Sequence, residues 1–299
     1  MANIVDNISL EEKLKYIPII KENFEKNIKG LDEAKDYIIK SFLNGEHVIV
    51  EGYPGNGKTD LVNVFAHSIG VDIKRIQGTN DLMPQDIIGY IGKDGVFKKG
   101  PIFTNILIVD EINRIPSKSL SGLISAMAEK KIVDDNGNVM KLPDFFMLVA
   151  TQNPLDNSGV YELPEAIKDR FGVKVLIEKQ DKVLKEIYLS KEKSNLISDK
   201  ILDNIEFIFD NLDPRFSKFD IIKENIFVGP SIRAGLQYIQ YVKTNAYLNG
   251  RDIVILEDLF KDIVNVFEDK IVPRNDNVVE LSSKEILKKY LEEVKAKIS

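Results

Sequence analysis

The chain contains no cysteine and only two histidines, His47 and His67. The first absence excludes disulfides, thiolate metal sites and cysteine nucleophiles, and it is compatible with a reducing compartment. The second excludes a histidine-rich metal site; both imidazoles read as structural, one in an expected strand and one in the helix after it. Long hydrophobic runs are also missing, since nothing approaches the ~18 consecutive apolar residues of a membrane span. Ile106–Val109 and Phe145–Ala150 have the length of buried strands instead. The N-terminal stretch alternates charged and apolar residues and lacks the apolar core of a secretory signal, so a cytoplasmic location is expected. Positive charge is not in excess either: 41 basic against 47 acidic residues give a net charge of −6. That balance argues against broad electrostatic capture of nucleic acid, although a local basic channel would not show in the total. No internal repeat or low-complexity tract is present.

What the chain does have is 299 residues, 43% of them hydrophobic, enough for a sizeable core and about two domains. Its most informative stretch is Gly52-Tyr53-Pro54-Gly55-Asn56-Gly57-Lys58-Thr59. It fits G-x-x-x-x-G-K-[ST], the loop that wraps the phosphates of a nucleotide. Glycine lets the backbone curl so that successive N–H groups face phosphate oxygens, and the following helix adds the positive end of its dipole. In this reading Gly52, Pro54, Gly55, Asn56, Gly57, Lys58, Thr59 and Asp60 form the nucleotide cradle. Lys58 reaches the β- and γ-phosphates, and Thr59 holds Mg²⁺. The context agrees: His47–Glu51 is short and β-branched like a buried parallel strand, while Asp60 to Ser68 has helical spacing and stops at Gly70.

Ser9-Leu10-Glu11-Glu12 forms a capping box that opens a short N-terminal helix, and a second helical stretch covers 32–44. Strand-like segments follow near 71–77, 106–110, 145–151 and 173–177, separated by helical spacers. That alternation predicts an α/β fold with a parallel sheet covered on both faces. Two hairpins interrupt it as projecting inserts, near 89–103 around Asp94-Gly95 and near 131–142 around Asn136-Gly137. Beyond residue 180 strand signals largely stop. Helices are predicted over 199–212, from near Pro230 to Asn249-Gly250, over about 256–268, and after a capping box at Ser282–Glu285.

Ile106-Leu107-Ile108-Val109-Asp110-Glu111 ends a buried strand with two carboxylates, where parallel sheets place their ligand sites. Asp110 would hold the Mg²⁺ shell, and Glu111 would orient or deprotonate the attacking water. The competing reading is that both acids merely cap the helix that follows. Phe146 to Asn153 is another strand with a polar end, from which Thr151 or Asn153 would hydrogen-bond the γ-phosphate or the water.

The spacing of glycine loop, strand-ending Asp-Glu and strand-ending Asn resembles the AAA+ ATPases, in which that asparagine is sensor 1. The resemblance sharpens to the MoxR family through several phrases. They are Gly45–Gly52, Arg75-Ile76-Gln77-Gly78-Thr79-Asn80-Asp81-Leu82-Met83-Pro84, Gly100-Pro101-Ile102-Phe103, Asp110-Glu111-Ile112-Asn113-Arg114, Ala150-Thr151-Gln152-Asn153-Pro154 and Leu163–Phe171. Together they cover about residues 28 to 250 in family order.

The resemblance implies a P-loop NTPase with a three-layer αβα core and a parallel sheet over 1–180, linking helices over 181–228, and a small all-helical lid over 229–299. It implies ATP and Mg²⁺ as ligands. Arg170 looks like the arginine finger that reaches a neighbour's γ-phosphate, and Arg233 like sensor 2 at the start of the lid. It also implies a homo-oligomer, usually a ring of six, working on a partner such as a von Willebrand factor A domain protein. The chain departs from the family where Ser231-Ile232-Arg233-Ala234 replaces Ser-Pro-Arg-Ala and where Gly159-Val160-Tyr161-Glu162 replaces Gly-Thr-Tyr-Pro. Two other functions compete with an ATPase that remodels proteins. One is a nucleotide-gated scaffold with little turnover; the other is a nucleic-acid motor using Lys93, Lys98, Lys99, Lys130 and Lys131 on the hairpins.

Overall fold

The computed structural model describes residues 6–133, 137–154, 161–192, 196–274 and 281–298. Asn136, Gly159 and Val160, which carry a hairpin turn and a family phrase above, lie outside the described residues. The chain divides into two compact units, Met1–Glu178 and Lys179–Ser299.

The first unit runs α1 (Leu10–Asn27), α2 (Asp32–Asn44), β1 (His47–Gly52), α3 (Lys58–Ile69), β2 (Ile73–Gln77), α4 (Pro84–Ile88), β3 (Gly89–Ile91), β4 (Phe97–Lys99), β5 (Ile106–Asp110), α5 (Ser117–Glu129), β6 (Lys131–Val133), β7 (Val139–Lys141), β8 (Met147–Gln152), α6 (Glu165–Lys168) and β9 (Phe171–Ile177). Five strands form one parallel sheet in the order β2-β5-β8-β1-β9. Strand side chains alternate between two cores, as the period of two requires. Val48, Val50, Ile106, Ile108, Met147 and Val149 pack with Phe24, Phe42 and Phe65 of α1, α2 and α3. Ile49, Leu107, Val109, Leu148 and Ala150 pack on the other face with Leu120, Leu123 and Ile167 of α5 and α6. Because both faces are covered, the inner strands β5, β8 and β1 read as nearly continuous apolar runs in the sequence. The pairs β3–β4 and β6–β7 are separate antiparallel ribbons outside this sheet.

Chain order and sheet order differ, and that difference builds the site. From β1 the chain crosses to the far edge at β2, then returns through β5 and β8 to lie against β1 again. The C-terminal ends of β1, β5 and β8 therefore adjoin, which is where open α/β sheets bind ligands.

His47 serves the fold, as read from the sequence. Its Nδ1 accepts the Leu148 N–H at 3.0 Å, which fixes the tautomer, so Nε2–H faces the Met127 carbonyl at 3.4 Å. Burial pushes its pKa down to about 4. The capping box at Ser9 is present, with the Glu12 N–H on Ser9 Oγ at 3.2 Å. The helix it opens is long rather than short, at 18 residues, because Ile20 and Phe24 on one stripe are buried in the core.

The second unit contains α7 (Leu184–Lys191), α8 (Asp199–Asp210), α9 (Asp220–Asn225), β10 (Ile226–Val228), α10 (Ile232–Leu248), α11 (Leu256–Phe260), α12 (Ile263–Phe267), β11 (Val272–Pro273) and α13 (Ser283–Ile298). One hydrophobic cluster from Leu184 to Val294 unites its helices, with Phe209, Tyr238, Phe267 and Tyr290 at the centre. The helix expected over 256–268 is two short ones. Asp258 at the first is fully buried and takes both Arg251 guanidinium nitrogens at 2.7 Å, while Asp262 between the two accepts the Asn245 amide at 2.6 Å. These bonds draw the segment onto α10 and its flank at two points, against a continuous helical path. A short antiparallel pairing of β10 with β11 adds a ribbon that hydropathy alone did not reveal in this helical region.

Candidate active site

The loop after β1 adopts the conformation its glycines permit. Gly55 and Gly57 have φ of 83° and 87°, left-handed values that a side chain would disfavour. A Cβ on Gly52 would lie 2.4 Å from the Ile177 carbonyl on β9, so that strand contact also requires glycine. Helix α3 starts at Gly57 with no side-chain cap, leaving its first N–H groups available to an anion. Asn56 Oδ1 is buried in the loop without a hydrogen-bond partner. Pro54 and Asp60 are exposed at the rim. A phosphate-bearing ligand therefore fits this cradle.

Lys58 is 7% exposed, and its ammonium donates to the carbonyls of Gly52 and Tyr53 and to Asn153 Oδ1 at 3.1 Å. The lysine is thus held on the loop, in reach of the strand end that carries Asn153. Thr59 Oγ1 donates to Asp110 Oδ1 at 3.2 Å, and Thr151 Oγ1 donates to the same oxygen at 3.3 Å. A hydroxyl and a carboxylate at this spacing form the hard oxygen set that suits Mg²⁺. Among the described residues no group of three or more His, Cys, Asp or Glu gathers for a metal. A Mg²⁺ here would accordingly share its shell with phosphate oxygens and water, its usual habit at nucleotide sites.

Glu111 follows Asp110 at φ 51°, ψ 49°, a left-handed conformation for a residue with a side chain. Such strain persists where surrounding contacts enforce it. Its N–H bonds Thr151 Oγ1 at 3.1 Å, and Gly78 approaches so closely that a Cβ there would lie 2.2 Å from the Glu111 carbonyl. The turn points the Glu111 carboxylate along the strand ends: Oε1 accepts from Asn153 Nδ2 at 3.1 Å and Oε2 from Gln77 Nε2 at 3.4 Å. Arg114 Nε lies 2.9 Å from Oε2 as an ion pair, with its N–H not aimed at the oxygen. Asn113 braces the far strand through Nδ2 on the Asn153 carbonyl at 2.8 Å. The acids thus do more than cap a helix, because each engages residues of other strands.

The structure brings Lys58, Thr59, Asp110, Glu111 and Asn153 together at the C-terminal ends of the central strands. It does not bring Arg170 to them. Arg170 precedes β9, whose first residue, Phe171, pairs with His47 at the start of β1, whereas Ile177 pairs with Gly52 at the loop. The arginine lies at the opposite end of the strands, about 17 Å away by strand rise, with its side chain 40% exposed and paired to Asp169. Arg233 is in the second unit, exposed in the first turn of α10, which Ser231 caps through the Ala234 N–H.

Four contributors escaped the sequence reading: Arg75, Gln77, Asn113 and Arg114. Arg75 donates through Nε to Asp110 Oδ2. The signal for the first two was a polar alternation, Arg75 and Gln77 flanking the apolar Ile76, which puts both side chains on one face of a strand.

A parallel sheet in this order, a glycine loop opening a helix, and acids and an amide on the adjoining strand ends define a P-loop NTPase of the AAA+ kind. Comparison with known proteins agrees. The model of the ATPase family associated with various cellular activities matches residues 47–173. Chaperone MoxR1 of Mycobacterium tuberculosis is 31% identical over 289 residues, 87% of this chain and 76% of that protein. YeaC of Bacillus subtilis, itself uncharacterized, is 37% identical over 265 residues, covering 80% and 81%. Among solved structures, a candidate ATPase of Cytophaga hutchinsonii superposes with a TM-score of 0.52 at 29% identity, covering 94% of this chain and 96% of its own. The chain belongs to the MoxR family of AAA+ ATPases.

Proposed function

We propose that this protein hydrolyses ATP with Mg²⁺ at sites completed between the subunits of a ring, and couples turnover to remodelling or assembly of a partner protein. The observation that carries this reading is the convergence of Lys58, Thr59, Asp110, Glu111 and Asn153 on adjoining strand ends from three separate segments. Phosphoryl transfer asks for positioning and charge neutralisation more than for covalent chemistry. Lys58 and the loop N–H groups would bind the phosphates, Thr59 and Asp110 would hold Mg²⁺, and the metal would neutralise charge on the phosphate oxygens. Glu111 would take a proton from the attacking water, while Asn153 orients both. Arg170, remote from this site in its own chain and exposed, is suited to a neighbour's nucleotide. Arg233 is a cation in the first turn of a helix, where the dipole disfavours it, so an anionic ligand explains it better than stability does.

A hexamer and a von Willebrand factor A domain partner follow from the family and remain part of this proposal, as does a chaperone-like role, the one named for the mycobacterial relative. One observation favours the low-turnover scaffold as a second reading. Asn153, Gln77 and Arg114 all contact the Glu111 carboxylate in this structure, so the base is held until something releases it. Steady-state ATPase rate per subunit against protein concentration tests the proposal. A specific rate that climbs and saturates supports shared sites; a rate near zero at every concentration, with and without partner, favours the scaffold.

A further inference from the structure

Asp110 is 3% exposed, and its two oxygens are used differently. Oδ1 takes the hydroxyls of Thr59 and Thr151 at 3.2 and 3.3 Å. Oδ2 takes Arg75 Nε, an ion pair in which the arginine side chain is 45% exposed and the aspartate almost wholly buried. Thr59 is the hydroxyl assigned to the metal, so Oδ1 is the metal-side oxygen and Oδ2 the rear one. Arg75 comes from β2, the edge strand, where it pairs with Ile108 while Gln77 pairs with Asp110 itself. Its guanidinium therefore reaches Asp110 diagonally from the neighbouring strand.

We infer that Arg75 is a positioning residue for the metal shell: by binding the rear oxygen of Asp110 it fixes the carboxylate plane and presents Oδ1 toward Thr59 and the metal. The inference rests on the ATPase reading above. Two physical arguments support it. A buried carboxylate needs a partner charge as well as hydroxyl donors. An arginine supplies that charge through a planar, directional N–H, where lysine would supply only a point charge. Partners of this outer kind commonly contribute 10–100-fold to metal affinity. Arg75 itself touches neither nucleotide nor metal in this scheme, so its removal should change the metal dependence and spare metal-free nucleotide binding.

The test titrates Mg²⁺ into wild type, Arg75→Ala and Arg75→Lys, each with a fluorescent ATP analogue, starting in EDTA, and repeats the metal step with Mn²⁺ read by electron paramagnetic resonance. Expected are metal-free affinities within about twofold of one another and a Mg²⁺ midpoint about 10–100-fold higher in Arg75→Ala, partly recovered in Arg75→Lys. In an Asp110→Asn background, Arg75→Ala should shift the midpoint no further, since coupled residues are non-additive. A wild-type midpoint in folded Arg75→Ala, or an equal further loss in the Asp110→Asn background, overturns the inference. If Arg75→Ala does not fold, the neutral pair Arg75→Ala with Asp110→Asn and the Arg75→Lys variant carry the comparison. Wild type that binds no nucleotide, with or without metal, would instead overturn the ATPase reading.

Discussion

Lys58 and Asn153, 95 residues apart in sequence, are joined by a 3.1 Å hydrogen bond from the ammonium to Oδ1. The bond ties the phosphate loop to the end of β8, and the same asparagine reaches Glu111 through Nδ2. One side chain thereby contacts both the lysine proposed to bind phosphate and the acid proposed to activate water.

Replacing Lys58 with alanine should lower ATP affinity at least about tenfold, since it removes the loop's one side-chain cation. The fold should also lose about 1–3 kcal/mol, because the carbonyls of Gly52 and Tyr53 lose their donor. Calorimetric titration with ATP and urea unfolding read the two effects separately. Equal nucleotide affinity in wild type and variant would remove Lys58 from the site.

Glu111→Gln should retain ATP and lose turnover by about 10²–10⁴-fold, the range of a general base. The amide oxygen still accepts from Asn153, so binding geometry is preserved while basicity is lost. A filter-binding measurement of trapped ATP beside a single-turnover rate checks this; hydrolysis within tenfold of wild type contradicts it.

Arg170 lies at the end of the strands opposite the nucleotide loop, so its effect should cross between subunits. Arg170→Ala should bind ATP yet lose about 10³–10⁵ in rate, the contribution of an arginine finger. Mixing Arg170→Ala with Lys58→Ala should restore part of the activity, because some interfaces then pair an intact loop with an intact finger. No recovery on mixing, with mixed assembly verified by mass, would place Arg170 outside the mechanism.

His47 gives the fold an acid sensitivity with a defined sign. Burial holds its folded pKa near 4, against about 6.5 unfolded. Between those values the unfolded chain binds a proton that the folded chain does not, so stability rises with pH there and is lost as pH falls. Roughly 3 kcal/mol should be present above pH 6.5 and gone by pH 4. Urea unfolding from pH 7 down to 5 should show this slope, and His47→Asn, whose amide can replace the Nδ1 acceptor, should flatten it.

Much of the fold was legible because its determinants are local. The apolar run Ile106–Val109 could only be a strand buried on both faces, and the glycines at 55 and 57 could only mark left-handed backbone before a helix. Lys58, Thr59, Asp110, Glu111 and Asn153 were legible for the same reason, since each stands at the end of a recognisable element. Arg75 was not, because an arginine in an edge strand looks like any solvated charge until its partner is known. The break between α11 and α12 was hidden likewise: helical spacing persists through it, and only the bonds from Asp258 and Asp262 to Arg251 and Asn245 disclose it.

The sequence by itself determined the five strands of the sheet, the loop and the identities of the chemical groups, because backbone torsion and hydrophobic periodicity belong to contiguous residues. Tertiary structure decided what those groups meet. The return of β5 and β8 toward β1 places Thr151 and Thr59 on one oxygen of Asp110 and leaves the other to Arg75. The same sheet order buries His47 in its neutral form and leaves Arg170 at the end of the strands away from the loop. These outcomes depend on strand order and on side chains many residues apart, which no local pattern encodes.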